Sequence, residues 1–94
     1  MTEIKGIKIA FNFGTLRHIK EIAGKDPLSL NIQEDLVGAS YAIAQAAAIT
    51  GGTKMSKKDA QDWVDSFDMN DFKVLFEAFN KFTNPEGTVQ LSPQ

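Results

Sequence analysis

The chain has no cysteine, a single histidine and a single arginine among its 94 residues. Without cysteine there are no disulfides, thiolate nucleophiles, thiolate metal sites or iron–sulfur clusters, which fits a protein of the reducing cytosol. His18 stands between Arg17 and Lys20 with no second imidazole to share a metal, so it reads as a surface helix residue. No serine sits in a Gly-x-Ser-x-Gly turn, and nucleophilic triads have no candidate parts. No run approaches the roughly 20 apolar residues that span a bilayer. The start, Met1-Thr2-Glu3-Ile4-Lys5, lacks the basic region and long apolar stretch of a signal peptide, so the expected location is cytoplasmic. The net charge of −2, with lysines scattered along the chain, offers no basic stripe that could neutralise a row of phosphates. Neither nucleic acid nor a membrane is an expected partner, and no catalytic, cofactor or metal residue is assigned.

What is present is apolar bulk: 43% of the residues are hydrophobic, including seven Phe and one Trp, enough for a chain this short to close one core. Ile7, Ile9, Phe11 and Phe13 alternate with Lys8, Ala10 and Asn12, the period-two pattern of a strand with one buried face. Lys5-Gly6 just before it can turn a very short hairpin with Glu3-Ile4. Gly14 breaks the alternation. Leu16, Ile19, Ile22 and Ala23 then recur at helical spacing, with Gly24 placed to cap the helix end. Lys25-Asp26-Pro27 makes a turn, and Leu28 and Leu30 sit in a connecting segment expected to pack on the core.

Asn31 with Glu34 reads as a capping box opening a long helix that runs through Thr50 to a Gly51-Gly52 stop. Its Ala-rich middle lets neighbouring backbones approach, which predicts the central helix. Ser56 with Asp59 starts a further helix, with Ala60, Trp63, Val64 and Phe67 on one face. Asp68 with Asp71 starts the last one, carrying Met69, Phe72, Leu75, Phe76, Phe79 and Phe82 until Asn84-Pro85 ends it. The expected fold is mainly α: a short N-terminal β-strand or hairpin followed by about four helices in a small bundle. Residues 1–84 form the one helical domain of this reading, and residues 85–94 a flexible C-terminal tail.

Three motifs invite a chemical reading and fail it. Asp59, Asp62, Asp65, Asp68 and Asp71 recur every three residues, but a calcium loop needs oxygen ligands at alternate positions, a central Gly and a terminal Glu. Two of these aspartates suit helix N-termini and the others a solvated face beside Lys57 and Lys58. Gly51-Gly52-Thr53-Lys54 follows a helix, not a strand, and its Thr-Lys order is the reverse of a phosphate loop's. No serine opens a helix in the Asp-Ser-Leu context of a phosphopantetheine carrier. The positive signal lies in surfaces. The Phe-rich last helix carries a broad apolar arc, and a lone strand or tiny hairpin has unpaired edge groups to be covered or completed. Candidate protein-binding residues are therefore Ile7, Ile9 and Phe11 for self-association through the strand edge, and Phe72, Phe76 and Phe79 for the helix.

The order of elements, with the stretch Phe11-Asn12-Phe13-Gly14-Thr15-Leu16-Arg17-His18-Ile19-Lys20-Glu21-Ile22-Ala23-Gly24-Lys25-Asp26-Pro27-Leu28, resembles phage tail assembly chaperones. The Ala-rich helix holding Tyr41, and Met55-Ser56-Lys57-Lys58-Asp59-Ala60-Gln61-Asp62-Trp63-Val64-Asp65, are similar to the later part of that family. The likeness covers residues 4–82 as an architectural pattern without a catalytic signature. It implies a cytoplasmic, self-associating, non-enzymatic protein of phage or prophage assembly, which coats the tape-measure protein and hands over to tail-tube subunits. It carries over no individual binding residue. In many such phages a longer frameshifted form adds a second domain, and the short polar tail after Pro85 is compatible with the shorter form. The rival expectation is a small helical adaptor or regulatory protein of a mobile element, which gene neighbourhood would separate from the first.

Overall fold

The computed structural model of the chain describes residues 2–27 and 34–83. The expectations for Leu28, Leu30 and Asn31, and for the tail beyond Pro85, lie outside the described residues.

Two three-residue strands, β1 (Thr2–Ile4) and β2 (Ile7–Ile9), pair antiparallel with Thr2 opposite Ile9, Glu3 opposite Lys8 and Ile4 opposite Ile7. Lys5 and Gly6 join them with φ of 50° and 82°. Both central residues lie in the left-handed region, as a two-residue turn matched to the strand twist requires.

The strand is shorter than the alternation predicts. It ends at Ile9 because Asn12, with extended backbone, caps helix α1 (Phe13–Ala23). The Asn12 side chain accepts from Thr15 N–H at 3.2 Å, and Thr15 Oγ1 accepts in return from Asn12 N–H at 3.0 Å. This reciprocal box satisfies two N–H groups that a helix start otherwise leaves without partners. Phe13 consequently belongs to the helix rather than to the buried strand face, and stands 80% exposed. At the other end Gly24, with φ of 74°, closes α1 in the left-handed conformation expected of it, donating its N–H to Lys20 O.

Helix α2 (Leu36–Thr50) begins with Asp35 as its cap, accepting from Gly38 N–H at 2.9 Å. The expected start at Asn31 is thus replaced by one four residues further on: an Asp with a free N–H three positions away supplies the same hydrogen bond. Gly51 ends it as anticipated, its N–H donating to Ala47 O at 3.0 Å. Helix α3 (Lys57–Asp65) opens with the predicted Ser56 and Asp59 box. Helix α4 (Met69–Thr83) opens with the reciprocal bonds of Asp68 and Asp71, at 3.1 and 2.9 Å.

The core is organised around α2, in which every residue from 42 to 48 is buried. Five of those seven are alanines whose small side chains let α1, α3 and β2 close on the helix from different sides. Ile43, fully buried, contributes about 1.5–3 kcal/mol by the usual value of a large aliphatic side chain. Where β2 leads into α1, Ala10 N–H donates to Ala47 O at 3.1 Å, and the buried Thr15 hydroxyl meets that of Thr50 at 2.6 Å. The Trp63 indole N–H donates to Ile4 O at 3.3 Å, tying α3 to the hairpin. Helix α4 lies against β1, held by the buried Leu75 and Phe79 and by Phe11, whose ring sits 5.9 Å from Phe79 and 6.0 Å from Phe82.

A candidate protein-docking groove

The turn from α3 into α4 is only Ser66, Phe67 and Asp68, and it folds a file of aromatic rings along the junction. Trp63 meets Phe67 edge-on at 5.1 Å, Phe67 meets Phe72 edge-on at 5.2 Å, and Phe72 stacks with Phe76 at 6.5 Å. The edge-on pairs suit the quadrupoles of the rings and hold them rigidly. Trp63 is buried, whereas Phe72 and Phe76 are half-buried, resting on the core while remaining open to solvent.

What faces them is the first turn of α2. Leu36 and Val37 are 54% and 61% exposed, because they precede the turn at which α2 enters the core. Met69, the first residue of α4, is 81% exposed. Leu36, Met69, Phe72 and Phe76 line an open groove of about 690 Å³, with Asn70 and Lys73 completing its lining. Through Leu36 and Phe72 it adjoins a second hollow of about 240 Å³, bounded by Val37, Tyr41, Val64 and Phe67. The polar groups sit on the margins. Tyr41 donates its hydroxyl to Asp65 Oδ1 at 2.6 Å. That hydrogen bond raises the phenol's pKa above the ordinary 10.0, with desolvation and the carboxylate's charge adding in the same direction. No carboxylate among the described residues pairs with Lys73.

Apart from Asn70 and Lys73 the groove is lined by apolar side chains, so its surface suits apolar groups. Among the described residues no three His, Cys, Asp or Glu gather as metal ligands. The aspartate row is occupied locally. Asp59, Asp68 and Asp71 cap helices, Asp62 pairs with Lys58 at 3.2 Å, and Asp65 holds Tyr41. His18 lies 3.8 Å from Glu21, one turn further along the same helix. Gly51 to Lys54 is a helix end, with Thr53 N–H donating to Ala48 O at 2.9 Å.

No known family model, curated protein or solved structure matches the chain. The site must accordingly be read from its own residues. Of the six candidates, Phe72 and Phe76 come together in the groove. Ile9 and Phe79 are instead core residues, 2% and 7% exposed, because the hairpin lays Ile9 on α2 and Phe79 seats α4. Ile7 and Phe11 are partly buried and pack on that same core. Leu36, Val37 and Met69 went unrecognised; the available signal was a pair of large apolar residues opening an Ala-rich helix.

The strand edge offers little. In a hairpin closed by the Ile4 and Ile7 pair, the outward backbone groups of β1 are the N–H and C=O of Glu3. One charged residue on a three-residue strand is the kind of edge that resists further pairing, and a two-fold pairing centred there would set Glu3 against its own copy. No helix among the described residues is long and apolar enough to cross a membrane.

Proposed function

We propose that the chain is a non-catalytic assembly factor that binds an apolar stretch of an extended helical client in the groove between α2 and α4. This is the role implied by its likeness to phage tail assembly chaperones, with the tape-measure protein as client and tail-tube subunits as the partners recruited later, in the cytoplasm. The observation that carries the reading is the open row of Leu36, Met69, Phe72 and Phe76. Contiguous exposed apolar surface on a small domain marks an interaction site, and a groove of this shape accepts the i, i+3, i+4 anchors of one helix face. Met and Phe suit a client presenting many similar stretches: the thioether adapts its shape and the rings supply area. Each client side chain buried there gains about 1.5–3 kcal/mol before the costs of association.

Co-expression with a candidate tape-measure protein, followed by size-exclusion chromatography with light scattering, tests the proposal. The expected result is a co-eluting complex that Leu36→Asp and Phe76→Asp weaken about tenfold or more. A chain that never co-purifies with that client, or groove variants that bind it unchanged, would sink the reading.

A further inference from the structure

We propose that a hollow between α1, α2 and α3 binds a small aliphatic acid that carries a hydrogen-bond donor, a hydroxyl or an amine, beside its carboxylate. The first sign is Gln45. It is the one polar residue in the buried stretch from 42 to 48 of α2, and it is nine-tenths buried. Its Nε2 donates to Met55 O at 3.1 Å, whereas no group among the described residues donates to its buried Oε1. A buried acceptor without a donor lowers stability, a loss that an apolar side chain of the same length would avoid. Packing gives no reason for this oxygen; a donor carried in by a ligand does.

Gln45 lines a hollow of about 320 Å³, at the small end of the range for ligand sites. None of its lining residues belongs to the groove of Leu36, Met69, Phe72 and Phe76, so the inference is independent of the client reading. The hollow runs lengthwise along α2. Lys57 stands at the Gln45 end, two residues beyond the Met55 carbonyl that Gln45 holds. Ile22, Ala23, Ala39 and Ala42 form apolar walls between the ends. Asp35 caps the start of α2, ten residues before Gln45 and so about 15 Å away along the helix. Lys25 belongs to that far end, because Thr15 meets Thr50 and α1 therefore runs back toward the start of α2. There Asp35 and Lys25 offset one another in charge, while no carboxylate among the described residues pairs with Lys57. The Gln45 end thus offers one uncompensated cation and one unmet acceptor.

The ligand class follows from that pairing. A carboxylate answers Lys57, a donor on the neighbouring carbon answers Gln45 Oε1, and an aliphatic chain lies along the alanines and Ile22. The terminal torsion of a glutamine is broad, so the amide can tilt toward an incoming donor at little cost. In a site shielded from water such a bond discriminates strongly, since a ligand without the donor leaves the oxygen unmet. α-Hydroxy acids and free α-amino acids share this chemistry.

Calorimetric titration with leucic acid, L-leucine and isocaproate tests it, isocaproate having the same carboxylate and chain but no donor. Leucic acid, L-leucine or both should bind saturably with a Kd of about 1 mM or tighter and shift the Gln45 side-chain amide signals in nuclear magnetic resonance; the tighter of the two identifies the source. Isocaproate should bind about tenfold or more weakly. Lys57→Gln, at an exposed position, should weaken binding about threefold with an unchanged circular dichroism spectrum. Gln45→Met should abolish the preference over isocaproate; should that variant fail to fold, isocaproate and Lys57→Gln carry the decision. No saturable binding of leucic acid or L-leucine up to about 10 mM would overturn the proposal. So would isocaproate bound as tightly as the better of them, a folded Gln45→Met that keeps the preference, or a Lys57→Gln protein that binds unchanged.

Discussion

Replacing Gly51 by Ala sets two effects of opposite sign against each other, and the structure says which wins. Gly51 has φ of −76° and ψ of −4°, ordinary right-handed values that alanine adopts without strain. From the unfolded chain alone, Gly→Ala should stabilise by about 0.4–1 kcal/mol. A Cβ at this position, however, would collide with the carbonyl of Lys8 and press on the Cα of Ile9, at 3.2 Å. Both are backbone atoms of β2, so no side chain can swing aside; the hairpin itself must retreat from the end of α2. Overpacking of this kind costs about 1–3 kcal/mol, and the retreat also strains the bond from Ala10 N–H to Ala47 O, worth about 0.5–1.5 kcal/mol. The net expectation is destabilisation by about 1–3 kcal/mol, a lowering of Tm by about 5–20 °C in a domain of this size. Urea titration followed by far-ultraviolet circular dichroism measures it, with Trp63 fluorescence as a second probe close to the hairpin. A Gly51→Ala protein as stable as wild type, or more stable, would refute the close approach of β2 to α2.

Thr15→Val should cost about 1–3 kcal/mol in the same assay, because it strands Asn12 N–H and removes one partner of the Thr50 hydroxyl, which keeps its bond to Ala46 O; the losses from Thr15→Val and Thr50→Val should overlap, and strict additivity would argue against the hydroxyl pair. Tyr41, the only tyrosine, should titrate above 10.0 by phenolate absorbance, and Asp65→Asn should bring it back toward that value. Since the folded pKa is raised, this hydrogen bond's contribution to stability is full below pH 10 and is lost as pH rises through the folded value; a native midpoint at 10.0 would contradict it. Met69→Asp, on an exposed side chain, should leave stability within about 0.5 kcal/mol, and a large loss in denaturant titration would mean that Met69 supports the core.

Much of the fold is written locally. Ser56 with Asp59 and Asp68 with Asp71 mark the starts of α3 and α4 because the caps are formed between residues three apart. Gly24 and the Lys5-Gly6 turn declare themselves through the backbone region each occupies. Asn12 with Thr15 is a box with an unusual partner, so the alternation through Phe13 read as strand and hid an exposed ring. The cap of α2 at Asp35 is as local as the others, a carboxylate three residues before the Gly38 N–H from which it accepts. The groove was half legible: the phenylalanines of α4 were visible as an apolar arc, but the exposure of Leu36 and Met69 depends on how two distant helix starts are juxtaposed. Ile9 and Phe79 were indistinguishable by type from Phe72 and Phe76, since burial is settled by tertiary packing.

Helix α2 has fifteen residues and not one charge. On its own it would have neither a polar face to keep it dissolved nor salt-bridged side chains to hold its turns, and short isolated helices are marginal even with better sequences. It can persist only once α1, β2 and α3 surround it. During synthesis α1 and the hairpin leave the ribosome before α2 and α3 leaves after it, so the central helix spends an interval half-wrapped, with its α3-facing side bare. The rate at which α3 closes that side, more than the strength of any one bond, should decide how much of the newly made chain reaches the native state and how much is lost to aggregation.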